Sequence, residues 1–209
     1  MENRLILQSW PVGAWGTNAY GLICPQSRKS VLIDPGGDPD RLSAVLADSL
    51  PQAILVTHGH PDHIGALPEM KRRLNVPVMA HPGGKASKST IAADRWLEDG
   101  DRIALGSHGL RVWHTPGHCE DQVCFLIEDD NRAIVGDTIF EGGPGKTWSL
   151  PDFQTTLATL KDRVLAWGDD TVCYPGHGAD FRLGDLRKEI EAFLMKDHGK
   201  FFGDATWGM

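Results

Sequence analysis

The chain is poor in cysteine and has no long apolar run. Four cysteines, Cys24, Cys119, Cys124 and Cys173, stand among 209 residues. None belongs to a C-x-x-C pair and their spacing is no disulfide framework, so they read as free thiols in a reducing, cytoplasmic setting. A membrane-spanning helix needs roughly 18 or more apolar residues together, and no such stretch occurs. Met1-Glu2-Asn3-Arg4 leads into strand-like sequence without an apolar signal core. Positive charge is short as well: 21 Lys and Arg face 28 Asp and Glu, for a net −7. Such a surface repels a phosphate backbone. The longest basic cluster, Lys71-Arg72-Arg73, closes an expected helix, where the helix dipole favours cations anyway. The expectation is a protein with neither a nucleic-acid nor a membrane partner.

Low-complexity stretches and linkers are missing too, so residues 1–209 are expected to form one domain. A core of that size buries about 70% of the unfolded chain's surface without help from a metal or a disulfide. Hydrophobic residues at 41% and charged residues at 23% exclude a disordered chain, collagen and a coiled coil.

Strand-like runs come first, at Leu5–Gln8, Ala19–Cys24 and Val31–Asp34. Asp38-Pro39 then opens an expected helix over 39–49, Ala53–Thr57 reads as a buried strand, and Leu67–Leu74 as a helix. Val76–Ala80 is strand-like, Lys85–Leu97 a weakly patterned helix, and strands are expected near 102–105, 110–115, 122–127 and 132–136. After the glycine-rich Gly142–Lys146 loop, Ser149 and Asp152 resemble a capping box, and Phe153, Leu157, Leu160, Val164 and Trp167 share one helical stripe. A strand at Thr171–Tyr174 and a helix near 185–197 complete the pattern. Strands mixed with helices in both halves point to layered sheets with helices outside.

The strongest chemical signal is His58-Gly59-His60-Pro61-Asp62-His63. Neutral imidazoles and a carboxylate are what a borderline-soft divalent ion binds, and by chance this motif arises about once in a thousand such chains. It directly follows a strand, where a loop can turn side chains to one point. Pro116-Gly117-His118, Gly136-Asp137 and Pro175-Gly176-His177 repeat that context. Together these donors are too many for one tetrahedral ion and suit two ions with a shared bridge. Zinc is the first expectation, with iron or manganese accepted by the same donors. Asp34, at the end of a strand, is a candidate to orient a metal-binding imidazole or to cap the next turn. His81, His108, His114 and His198 are read as lying outside the site.

In their order along the chain, H-x-H-x-D-H, P-G-H, G-D-T and P-G-H-G resemble the metallo-β-lactamase superfamily, and within it the glyoxalase II (hydroxyacylglutathione hydrolase) branch. The resemblance spans about residues 17–180 and implies an α+β fold, a four-layer αββα sandwich with the metal site at one edge of the sheets. It implies that His58, His60 and His118 hold one ion, that Asp62, His63 and His177 hold the other, and that Asp137 bridges them. Lys146 matches a lysine that grips the glutathione part of the substrate, and Trp148 stands near an aromatic contact. Two departures concern the substrate rather than the metal. Cys119-Glu120-Asp121 replaces the usual small-residue turn, and there is no match to the helical domain that completes the glutathione pocket in longer members.

The expected activity is hydrolysis of a thioester or related ester by a water activated between the ions, with Asp62 orienting it. No serine or cysteine nucleophile is required. The alternatives from the same residues are an iron-dependent persulfide dioxygenase on His58, His118 and Asp137, a lactonase, and a non-catalytic metal-binding module. The last fits least, because structural zinc sites are closed and four-coordinate.

Overall fold

Residues 4–83 and 91–209 are described by the computed structural model. In chain order the first half forms β1 (Ile6–Val12), β2 (Thr17–Ile23), β3 (Lys29–Ile33), α1 (Pro39–Leu46), β4 (Leu50–Leu55), α2 (Pro61–Ile64), α3 (Leu67–Leu74), β5 (Val78–Ala80) and β6 (Arg95–Trp96). The second half forms β7 (Arg102–Leu105), β8 (His108–His114), β9 (Val123–Ile127), β10 (Arg132–Gly136), β11 (Ile139–Phe140), β12 (Gly143–Pro144), α4 (Leu150–Asp162), β13 (Val172–Pro175), β14 (Phe181–Arg182) and α5 (Leu183–Leu194).

Two sheets result, ordered β1-β2-β3-β4-β5-β6 and β14-β13-β10-β9-β8-β7, with β11-β12 as a separate hairpin. Strands β3, β4 and β5 are parallel. Parallel neighbours need crossovers, and α1 and α3 supply them on the outer face of the first sheet. Leu42 and Leu46 of α1 and Leu67 and Met70 of α3 pack there on Leu32, Ile54 and Val78. Leu22, Ile33 and Leu55 face Leu110, Val112, Phe125 and Ile134 across the space between the sheets. On the far side Phe153 and Leu160 of α4 and Ile190 and Phe193 of α5 cover Ala133, Val135 and Cys173. The order is helix, sheet, sheet, helix, the expected α+β sandwich. Strand β2 is buried along its whole length, and its Ala19–Ile23 part accordingly lacks the polar alternation of a strand with one solvated face.

The expected elements are recovered with shifted ends. Strand β1 runs on past Gln8 to Val12, because Pro11 lies in an edge strand where a missing N–H is tolerated. Helix α1 stops at Leu46 rather than 49; Ser49 N bonds Leu46 O at 2.9 Å and Leu50 already begins β4. The capping box at α4 is present, with Ser149 Oγ accepting from Asp152 N at 3.3 Å. The stripe through Trp167 leaves the α-helix after Asp162 and continues in a 3-10 turn at Val164–Ala166.

One expectation is corrected. Of the helix proposed for Lys85–Leu97, residues 85–90 lie outside the described residues, and the remainder is not helical but contains strand β6. Asp94 bonds Val78 at both backbone groups, accepting Val78 N on its carboxylate at 2.8 Å and donating Asp94 N to Val78 O at 2.9 Å. This stitches Arg95–Trp96 to the edge of β5, a long-range pairing that outweighs weak helical spacing. Among the described residues, no helix is long and apolar enough to cross a membrane.

Candidate metal centre

Strand direction brings the motifs together. Strands β8 and β10 are each antiparallel to β9, and β13 is parallel to β10, so the carboxyl ends of β8, β10 and β13 share one edge. His118, Asp137 and His177 follow those ends. His58, His60, Asp62 and His63 follow β4 of the first sheet, whose end is tied to the second by Val123 N donating to Thr57 O at 2.9 Å. Asn18 N bonds Gly176 O at 2.7 Å and joins the sheets again on the other side. Asp62 and His63 ride on the one-turn α2, opened by Pro61.

His58 Nε2 lies 3.1 Å from His60 Nδ1, and His118 Nε2 lies 2.9 Å from the same atom. Metal–nitrogen bonds of about 2.0–2.1 Å at tetrahedral angles place such nitrogens about 3.3 Å apart. Beside this trio, His177 Nε2 is 3.1 Å and His63 Nε2 3.6 Å from Asp62 Oδ2. Asp137 stands between the groups, with Oδ1 3.3 Å from His63 Nε2 and Oδ2 3.6 Å from His118 Nε2. Among the described residues, buried His63 Nε2 and Asp137 Oδ1 lack a hydrogen-bond partner. Orphaned donor atoms converging on one point fit a cation between them. Gly176 leaves the needed room: a Cβ there would collide with the Asp137 carboxylate and the His63 ring.

Three of the imidazoles are poised to offer lone pairs, and the fourth is tuned by its carboxylate neighbours. Burial lowers the basicity of His58, His60 and His118, and for His58 the surrounding imidazoles add to it, so these rings present lone pairs. Burial also acts to lower His63, but Asp34 and Asp137 outweigh it and hold His63 at about 10. Asp137 is pulled down against its own burial by His63.

The outward nitrogens are held as well. His63 Nδ1 meets Asp34 Oδ2 at 2.9 Å, and His118 Nδ1 donates to Lys146 O at 2.7 Å. His58 Nδ1 is 3.1 Å from the Thr57 hydroxyl, which donates to Asp34 Oδ2 at 2.6 Å. Asp34 therefore orients an imidazole, the first of its two proposed roles, and also receives Thr57 N at 2.8 Å.

A profile of the Metallo-beta-lactamase superfamily matches residues 12–191. The chain belongs to this superfamily. Hydroxyacylglutathione hydrolase GloC of Haemophilus influenzae is 28% identical over 198 residues, covering 85% of this chain and 93% of its own. A probable metallo-hydrolase of Bacillus subtilis, YqgX, is 31% identical over 189 residues, covering 81% of this chain and 89% of its own. Among solved structures, TTHA1623 in a di-iron-bound form matches with a TM-score of 0.75 at 31% identity, covering 87% of this chain and 97% of that one. The superfamily's metal-binding character agrees with the His/Asp clusters, which offer donor atoms within 4.8 Å of one another.

Against that superfamily background the neighbouring residues acquire meaning. Thr17 donates its hydroxyl to Asp62 Oδ2 at 2.9 Å, and Gln122 Oε1 accepts Asp137 N at 3.3 Å. Neither carries a motif signal, so sequence reading missed both. Cys119 Sγ sits 3.2 Å from His60 Nε2, a thiol whose ionisation burial pushes up. Trp148, 58% exposed, stands edge-on to His60 with centroids 6.2 Å apart. Lys146 places its ammonium 5.1 Å from the Trp148 ring centroid and 3.1 Å from Asp204 Oδ2. His81 stacks on His114, and His198 donates to Phe193 O at 2.8 Å; neither these nor His108 joins the donor groups.

Proposed function

We propose that this chain is a binuclear metal-dependent thioester hydrolase of the glyoxalase II kind, a single domain over residues 1–209 working in the cytoplasm on small thioester or ester substrates. The convergence of orphaned His63 Nε2 and Asp137 Oδ1 beside the His58/His60/His118 trio carries the assignment. His58, His60 and His118 would hold one ion, Asp62, His63 and His177 the second, and Asp137 would serve both. Two divalent ions, zinc by preference with iron or manganese as substitutes, would supply Lewis acidity toward a water and the acyl oxygen.

The chain's own groups do the positioning. Asp62, steadied by the Thr17 hydroxyl, aims a carboxylate into the centre, where it orients the attacking water by accepting a hydrogen bond. Asp34 and the Lys146 carbonyl keep the outward nitrogens of His63 and His118 occupied, so their inward nitrogens stay on the metal side. Lys146, whose ammonium lies beside the Trp148 ring, would contact the departing thiol half of the substrate.

Purified protein should hydrolyse S-lactoylglutathione, lose that activity to a chelator, and regain it with added zinc, followed by the thioester absorbance. His58→Ala and Asp137→Ala should lose both bound metal and activity. Full activity in either variant sinks the assignment. An inert, metal-replete protein that takes up oxygen with a persulfide would replace it by the dioxygenase alternative.

A further inference from the structure

Resting on the hydrolase reading above, we propose that Asp204 is a specificity-determining residue, which acts through Lys146 to turn the site away from thiols bearing a carboxylate. Lys146 cannot drift far from the centre, since its own carbonyl accepts His118 Nδ1 at 2.7 Å. Its side chain lies along the Trp148 ring, whose edge faces His60. A ligand leaving the metal centre past His60 therefore meets the indole and then the ammonium. At that point Asp204 Oδ2 is already 3.1 Å from Lys146 Nζ.

Asp204 does not reach this place on a loose loop. Thr147 N donates to Gly203 O at 3.0 Å, and Gly203 N returns a bond to Thr147 Oγ1 at 3.0 Å. Beyond Asp204, Ala205 and Trp207 are buried, and Trp207 Nε1 donates to Glu141 O at 2.9 Å. Trp207 N also bonds Gly142 O at 3.2 Å. The segment is thus pinned on both sides of Asp204 to the 141–147 loop that carries Lys146.

A carboxylate-bearing thiol can use the Lys146 ammonium only by displacing or sharing this counter-ion, whereas an uncharged thiol has no such competition. The side chains of Lys146 and Asp204 are 43% and 77% exposed, so water and salt screen the pair and the effect is moderate. The pair thus ranks acyl thioesters of uncharged thiols above those whose thiol presents an anionic group to Lys146, while still admitting the latter as substrates.

Calorimetric titration of the metal-loaded protein with two unreactive thioethers separates this from the hydrolase reading. S-hexylglutathione carries carboxylates, and S-hexyl-N-acetylcysteamine carries none. In Asp204→Asn the ratio of affinities, anionic over neutral, should rise roughly three- to fivefold, the scale of an exposed ion pair. The rise should shrink at high salt, and it should vanish when Asp204→Asn is made on a Lys146→Ala background. An unchanged ratio, a rise that survives without Lys146, or no binding of either thioether overturns the proposal. Failure of the wild-type protein to hydrolyse S-lactoyl-N-acetylcysteamine would instead count against the hydrolase reading, whatever the titrations give.

Discussion

At the scale of single residues, the centre depends on groups that never face its middle. Asp34 has a positive φ of 52°, a backbone conformation short polar residues tolerate better than most, and from there it binds Thr57 N, the Thr57 hydroxyl and His63 Nδ1. Replacing it by Asn keeps the shape but removes the charge that favours a proton on His63 Nδ1 and leaves Nε2 for the metal. Asp34→Asn should weaken metal binding by about 10–100-fold, read by competition with a chromophoric chelator, while circular dichroism stays native. Wild-type metal affinity in that variant would remove Asp34 from the centre's support.

At the scale of elements, helix starts and ion pairs can be separated from the chemistry. Ser149 caps α4, whose Phe153 and Leu160 cover the second sheet. Ser149→Ala should cost about 1 kcal/mol in urea unfolding, the ordinary value of a lost N-cap. Asp130 ties the chain ahead of β1 to β10 by accepting Arg4 at 2.6 Å and Arg132 at 2.7 Å. Burial acts to raise its carboxyl, but the two guanidinium groups outweigh it and hold the value at about 2, against an ordinary 3.8. A depressed folded value means stability that is present above the unfolded value and lost as pH falls. The wild-type advantage over Asp130→Asn should therefore be full above pH 4 and fade between about 4 and 2. Unfolding midpoints measured across that range would show it; a constant difference would mean that packing, not charge, is at work.

At the scale of the whole molecule, the centre joins the two sheets, since β4 supplies one set of donors and β8, β10 and β13 supply the other. Any ion bound there stabilises the folded chain by mass action, by about 2.7 kcal/mol at a free concentration one hundredfold above Kd. Chelation should lower the thermal midpoint by several degrees, and His58→Ala should make the midpoint insensitive to chelator. The scanning measurement needs no substrate, so it stands apart from any assay of hydrolysis.

Much of this was legible in the chain itself because the donors are crowded in sequence. His58 through His63 fall within six residues, and each remaining donor follows a short apolar strand with a glycine beside it, patterns set by local backbone requirements. The helices were visible for the same reason: α1, α3 and α4 by their proline or serine starts and apolar spacing, and α5 by apolar spacing alone, all of them local signals. What lay beyond reach depends on pairs far apart in the chain. Thr17 on Asp62, Gln122 on Asp137, the edge pairing of Arg95–Trp96, and Asp204 on Lys146 bring together side chains or strands that no spacing rule links. Composition and motif determined the metal-binding superfamily and named the candidate donors, because those rest on residue chemistry and neighbouring backbone. Only the tertiary structure decided which hydroxyl, amide and carboxylate surround the donors, because strand order and layer packing set those distances.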